Sequence, residues 1–330
     1  MVSLPQDRLE PGPPFTNVGV DCFGPWEVLT RRTRGGHANS KRWAVMFTCL
    51  TTRAVHIEVV EELSSSSFIM ALKRLIAIRG PVSHFRSDRG TNFVGSFEDL
   101  GIQAINVEDC KVKEYLRNNN STWQFNPPHA SHMGGVWERV IGITRRVLDS
   151  LLMDGIKNKL THEMLVTFLV EASAIVDLRS LVPLTSDPDD PTSLTPSLLL
   201  TQKPQQVTGI PEILDSTNMY TKQWKRVQVL AQMLWKRWQS QYLQALQSRQ
   251  KWHKTERNIS PGDVVLIRDK QTARNSWPLG IIQKIHSGSD NCVRSCEVRI
   301  TRNGERSVLY TRPVTELVLL IPDNCLLCLI

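Results

Sequence analysis

The sequence lacks any apolar run long enough to cross a bilayer. Its longest apolar stretches are each broken by a charge, a proline or an asparagine, whereas a spanning helix needs about 20 apolar residues. No membrane partner is expected. Nor does the chain open on a basic segment with an apolar core behind it, so no secretory leader is indicated. The seven cysteines, at positions 22, 49, 110, 292, 296, 325 and 328, are odd in number and scattered. That pattern argues against the paired disulfide framework of a small secreted domain. Cys325 and Cys328 have neither a second cysteine pair nor a histidine cluster beside them, so they read as ordinary thiols rather than a zinc site. No segment repeats at a fixed period.

What is present is a globular composition. The 330 residues are 41% hydrophobic and 22% charged, enough for two domains that each bury a core. The formal charge of +8 and a pI near 9.2 favour a polyanionic partner. Residues 1–14, rich in Pro and Gly, read as a linker entering a domain from an upstream part.

Apolar and β-branched runs predict strands in TNVGVDCFG, RWAVMFTCL and AVHIEVV. The serines at 64–67 supply N-caps for a helix over 68–78, which Gly80-Pro81 stops. VSHFRSD reads as a short strand ending at Asp88, followed by a glycine-containing loop and a polar segment of poor period up to Asn120. Residues 125–152 open as a loop with His129, His132 and Gly134-Gly135, then become an amphipathic helix. A second apolar helix is expected over 161–178. Beyond it come a linker over 181–219, a basic amphipathic helix over 220–257, a small all-β module of about five strands over 258–320 and a tail over 321–330.

Three acidic residues stand out by position. Asp21 lies inside an otherwise apolar strand, where an ionised carboxylate is costly unless it is paired or binds metal. Asp88 ends a strand, the place where α/β sheets put their functional groups. Glu138 is expected in the first turn of its helix, on a stripe with Gly142, Arg145 and Asp149, while Val136, Val140, Val147, Leu148 and Leu151 face the core. Three converging carboxylates stay ionised only if cations neutralise them, and oxygen-only ligation suits Mg²⁺ or Mn²⁺. Two such ions would clamp the attacking and leaving oxygens of a phosphodiester. Three unrelated surface acids remain the plain alternative.

PPFTNVGVDCFGPW, HFRSDRGTNFVG and FNPPHASHMGGVWERVI resemble the three motifs of the integrase core of BEL/Pao-type LTR retrotransposons, within the retroviral integrase superfamily. WKRWQSQYLQALQSRQKW, GDVVLIRD and WPLGIIQKI are similar to that family's C-terminal helix and SH3-like barrel. The resemblance implies an RNase H-like mixed sheet flanked by helices over residues 15–180, followed by the basic helix and barrel. It implies a catalytic and metal-binding triad of Asp21, Asp88 and Glu138, two Mg²⁺ or Mn²⁺ ions, and trimming and joining of DNA 3′ ends. Retroelement ends and target DNA are the implied partners, with the chain a homo-oligomer on DNA in the nucleus. The candidate DNA contacts are Arg89, Asn92, His132, Arg139, Arg145 and Arg146 in the core, and Lys225, Arg226, Lys236 and Arg237 on the basic helix. Where such elements usually read Asn-Ser-Arg-Pro-Leu, this chain has VDLRSLVPL. Two other classes stay open: a catalytically silent or domesticated DNA-binding relic, and a plain RNase H-like nuclease.

Overall fold

The computed structural model describes residues 11–33, 36–88, 105–126, 131–154, 160–183, 193–203, 223–246, 257–268, 276–288, 292–300 and 307–321, with the backbone alone at 30–33, 36–39, 131–138, 153–154 and 321. They divide into two units: Met1–Asp177 with Ile213–Leu234, and Leu178–Glu212 with Trp235–Ile330.

The first unit is built on a five-stranded mixed sheet. Its strands are β1 (Asn17–Thr33), β2 (Gly36–Cys49), β3 (Val55–Val60), β4 (His84–Ser87) and β5 (Thr122–Phe125), in the order β3-β2-β1-β4-β5. β1, β2 and β3 form an antiparallel meander, whereas β4 lies parallel to β1 and β5 parallel to β4. Four helices accompany the sheet: α1 (Ser65–Arg79), α2 (Cys110–Asn118), α3 (Ser131–Asp154) and α4 (His162–Asp177). This is the mixed sheet flanked by helices that an RNase H-like core requires. β1 sits in the middle and is apolar on both faces: Val18, Val20, Cys22 and Phe23 are all buried. A strand covered on both sides cannot alternate apolar with polar, so a charge in it is conspicuous.

Local chemistry explains the elements around β1. Ser64 caps α1, its hydroxyl accepting from the Ser67 N–H. Phe68, Ala71, Leu72 and Leu75 form the buried stripe at i, i+3, i+4 and i+7. Gly80, at φ 91°, ends the helix with its N–H on the Ile76 carbonyl. Burying Phe68, Leu72 and Leu75 is worth roughly 1.5–3 kcal/mol each. At the end of α4, the buried Asp177 accepts from the Val55 N–H at 2.8 Å, tying that helix to β3. The second residue of VDLRSLVPL is therefore one the fold uses.

Three expectations change here. The polar stretch before Asn120 contains α2, capped by Asp109 and seated by Val112 and Leu116; it is only nine residues long and polar overall. β1 runs on through Gly24-Pro25, where a bulge shifts the register between Phe23 and Trp26. Gly24 has φ 115°, and a Cβ there would sit 3.1 Å from the Arg42 carbonyl, so no other residue fits without strain. Finally, α3 begins at Ser131, so Gly134-Gly135 lie within the helix and Glu138 is its eighth residue, not a first-turn residue. Helical glycine costs about 1 kcal/mol each, against which the helix buries Val140, Ile141, Ile143, Val147, Leu148, Leu151 and Leu152 further along.

The second unit holds β8 (Val264–Ile267), β9 (Leu279–Ser287), β10 (Val293–Ile300), β11 (Val308–Pro313) and β12 (Leu317–Ile321), with a 3₁₀ turn at Val314–Glu316. They make a second, antiparallel five-stranded sheet in the order β11-β10-β9-β8-β12. β8 is buried on both faces. Val265 and Ile267 pack with Ile282, Cys296, Val298 and Leu317, and Val264 and Leu266 pack with Leu243, Leu279 and Val318. At Gly280 a Cβ would run into Val298 and the Arg299 carbonyl, so two strands meet there at a distance only glycine allows. Helix α6 (Gln223–Leu246) contributes Trp235, Trp238 and Tyr242, which cluster with Trp277 at centroid distances of 4.8–5.9 Å. Trp277 is thus a packing aromatic beside the sheet. Trp224, near the start of α6, is 60% exposed. The stretch expected to be a linker carries β6 (Val182–Pro183) paired with β7 (Ser193–Leu194), then a short helix, α5 (Pro196–Thr201).

Candidate active site

The register of β1 and β4 puts two carboxylates side by side. Val20 pairs with Ser87 in the parallel ladder, so Asp21 and Asp88 are the next residues on strands about 4.8 Å apart. Asp21 also lies opposite Met46 of β2, in the middle of the sheet. Its Oδ1 accepts from the Cys22 N–H at 2.8 Å. Burial pushes its pKa from 3.8 to about 6, with the Cys22 N–H and the Arg145 charge pulling back and Asp88 pushing further up. Asp88 is exposed at the tip of β4, and its Oδ1 accepts from Asn126 Nδ2 at 2.9 Å. The Cys22 thiol next door is pushed up to about 12 by burial and by Asp21, which makes it inert as a nucleophile.

Helix α3 packs on β1 and brings the other charged groups. The bulge at Gly24 lets Trp26 donate from Nε1 to Asp149 Oδ1 at 3.1 Å. Asp149 in turn pairs with Arg145 at 3.7 Å, and the Arg145 charge reaches Asp21. The core-facing stripe is as expected, with Val140, Val147, Leu148 and Leu151 buried together with Ile141, Ile143 and Thr144. Glu138 stands seven residues before Arg145 on the same helix; seven steps of 100° return to the same stripe. Its side chain lies outside the described residues, as does that of Val136. Beside Gly142 a Cβ would meet no atom of the described residues within 4 Å.

The remaining candidates are scattered. Arg89 and Asn92, like His129, lie outside the described residues; His132 is in the first turn of α3, its side chain not described. Arg139 is exposed on α3. Arg146 is exposed too, with Nε donating to the Gly142 carbonyl at 3.2 Å. Lys225 and Arg226 are half-buried near the start of α6, Lys225 lying over the Trp224 ring, and Lys236 and Arg237 are exposed further along. Sequence patterning missed Asn126, whose only cue is its place at a strand end before Pro-Pro.

The donor set fits a hard divalent cation. Both carboxylates offer oxygen only, and Asp21 carries a burial penalty that a neighbouring cation would reverse. Among the described residues, which exclude the Glu138 side chain, no group of three His, Cys, Asp or Glu forms a complete metal site. Among the described residues, no helix is long and apolar enough to cross a membrane.

Residues 222–320 match a family described as a family of unknown function (DUF5641). No curated protein matches the chain. Among solved structures, it is similar to a simian T-cell lymphotropic virus intasome in complex with PP2A regulatory subunit B56 gamma. That match has 12% identity and a TM-score of 0.36, covering 94% of this chain and 80% of that one. It is also similar to the HTLV-2 integrase catalytic core domain in complex with magnesium (dimeric form), at 15% identity and a TM-score of 0.33, covering 57% of this chain and 97% of that one.

Proposed function

We propose that this chain is a divalent-metal-dependent polynucleotidyl transferase of the integrase type, from a BEL/Pao-like retroelement, that trims DNA 3′ ends and joins them to target DNA in the nucleus. The observation that carries this reading is Asp21: a carboxylate raised to about 6 by burial in the central strand, beside Asp88 at the tip of the next. A fold gains nothing from such a residue unless something positive arrives to meet it. Asp21 and Asp88 would hold the ions, with Glu138 supplied from the stripe of α3 that carries Arg145. Bound there, Mg²⁺ or Mn²⁺ supplies Lewis acidity to the phosphodiester and acidifies an attacking water or 3′-hydroxyl.

The chain's own residues do the rest. Asp21 and Asp88 fix where the reacting phosphate sits, so the reaction gains from positioning and electrostatics without a covalent enzyme intermediate. Arg145, held by Asp149, keeps a positive charge near Asp21 before any ion binds. Exposed Arg139, Arg146, Lys236 and Arg237 suit backbone contacts to DNA, which weaken steeply with salt. Assembly as a homo-oligomer on DNA belongs to the same proposal.

The test incubates the purified chain with a 3′-recessed duplex, a target plasmid and Mn²⁺ or Mg²⁺, beside Glu138→Gln. Joined products that vanish in the variant are expected. DNA binding without joining in either protein would leave a DNA-binding relic; cutting without joining would leave a plain RNase H-like nuclease.

A further inference from the structure

One buried polar side chain at the site has a role that the triad does not assign. Asn126 follows β5 directly and is only 4% exposed. Its Nδ2 donates to Asp88 Oδ1 at 2.9 Å, and its backbone N–H donates to the Ser87 carbonyl at 2.9 Å. The same strand reaches β4 a second time through Trp123, whose Nε1 donates to Ser87 Oγ at 3.1 Å. The Trp123 ring stacks on Phe85 at 5.4 Å and 20°. Strand β5 therefore grips the last residues of β4 by two side chains and the ladder. Asp88, one residue beyond that grip, has no burial of its own to fix its rotamer. Since an ionised carboxylate only accepts, the amide must turn its NH₂ toward Asp88. Its Oδ1 is then left buried with no partner among the described residues.

We propose that Asn126 is the positioning residue for Asp88: its rigidly seated amide fixes the carboxylate in the orientation that receives the divalent cation. This rests on the integrase-type reading of the Asp21–Asp88 pair and extends it to a residue outside the triad. Outer partners that orient metal ligands typically matter by 10–100-fold in metal affinity.

The experiment is a calorimetric titration of the full chain with Mn²⁺ alone, without DNA, on wild type, Asn126→Leu, Asp88→Asn and the Asn126→Leu/Asp88→Asn double variant, with thermal melts of each. Asn126→Leu is expected to weaken Mn²⁺ binding about 10–100-fold without lowering the melting temperature. Because Asn126 acts through Asp88, adding Asn126→Leu to Asp88→Asn should change the affinity no further. Asn126→Ala serves the same titration if the leucine variant does not fold. Unchanged Mn²⁺ affinity in a folded Asn126 variant, or an equal loss in the Asp88→Asn background, overturns the positioning role alone. Wild type that binds no Mn²⁺, or binds it no more tightly than Asp88→Asn, instead overturns the reading of the pair as a metal site.

Discussion

Asp21 and Glu58 are carboxylates two strands apart in one sheet, and the fold treats them in opposite ways. Both are largely withdrawn from solvent. For Glu58 burial pushes upward, but hydrogen bonds from His56 and Arg74 outweigh it and hold the carboxyl below its ordinary value. His56 Nε2 meets Glu58 Oε1 at 2.8 Å and Arg74 takes the other oxygen. Asp21 has one backbone N–H, a distant Arg145 and an unfavourable Asp88, and it ends near 6. A buried acid whose hydrogen-bond donors come from the chain is a structural brace, and Asp21 has only one such donor among the described residues. This contrast is the ground for proposing Asp21, and not Glu58, as the place for an external cation.

The largest expected effect separates the two acids by function. Asp21→Asn should abolish Mn²⁺ binding and DNA joining, while Glu58→Gln should retain both; loss in both variants would erase the distinction. Stability should move the other way. Burial lifts the Asp21 pKa from 3.8 to about 6, so Asp21→Asn should stabilise the metal-free protein by about 1–3 kcal/mol. Glu58→Gln should cost about 1–3 kcal/mol, because His56 and Arg74 lose their buried acceptor. Paired denaturant melts at pH 7.5 would read the two signs.

The same contrast predicts two pH windows. Asp21 has a folded pKa above its unfolded one, so metal-free stability should fall as pH rises from about 3.8 to about 6 and stay reduced above that. Glu58 has a folded pKa below its ordinary 4.5, so its contribution is present above 4.5 and is lost as pH falls through the folded value. Subtracting the Asp21→Asn curve from wild type should leave the first slope, and saturating Mn²⁺ should cancel it. The smallest effect concerns Arg145. Arg145→Gln removes a charge that favours ionised Asp21, so a carbon-13 NMR titration should find the Asp21 pKa above its wild-type value. A downward movement would mean that Arg145 acts on Asp21 through packing.

Four of the five strands of this sheet were legible in the sequence because each carries its own local signal, whereas β5, only four residues long, was not. The apolar run around Asp21, the serine cap of α1 and the short strand before Asp88 each needed only neighbours in sequence. α2 hid because it is short and polar overall, and the start of α3 hid because Gly134-Gly135 look like a loop. Contacts between distant positions were not legible at all. Asn126 meets Asp88 across 38 positions and Trp26 meets Asp149 across 123. The Glu58 brace needs α1 laid against β3. The sequence marked which acids were unusual, but only the register of β1 with β4 made two of them neighbours.

The most direct test is to soak crystals of the chain in Mn²⁺ and record the anomalous scattering at the manganese edge. A peak in contact with both Asp21 and Asp88 that is missing in Asp21→Asn crystals is expected. Well-ordered Asp21 and Asp88 side chains with no manganese between them would contradict the account.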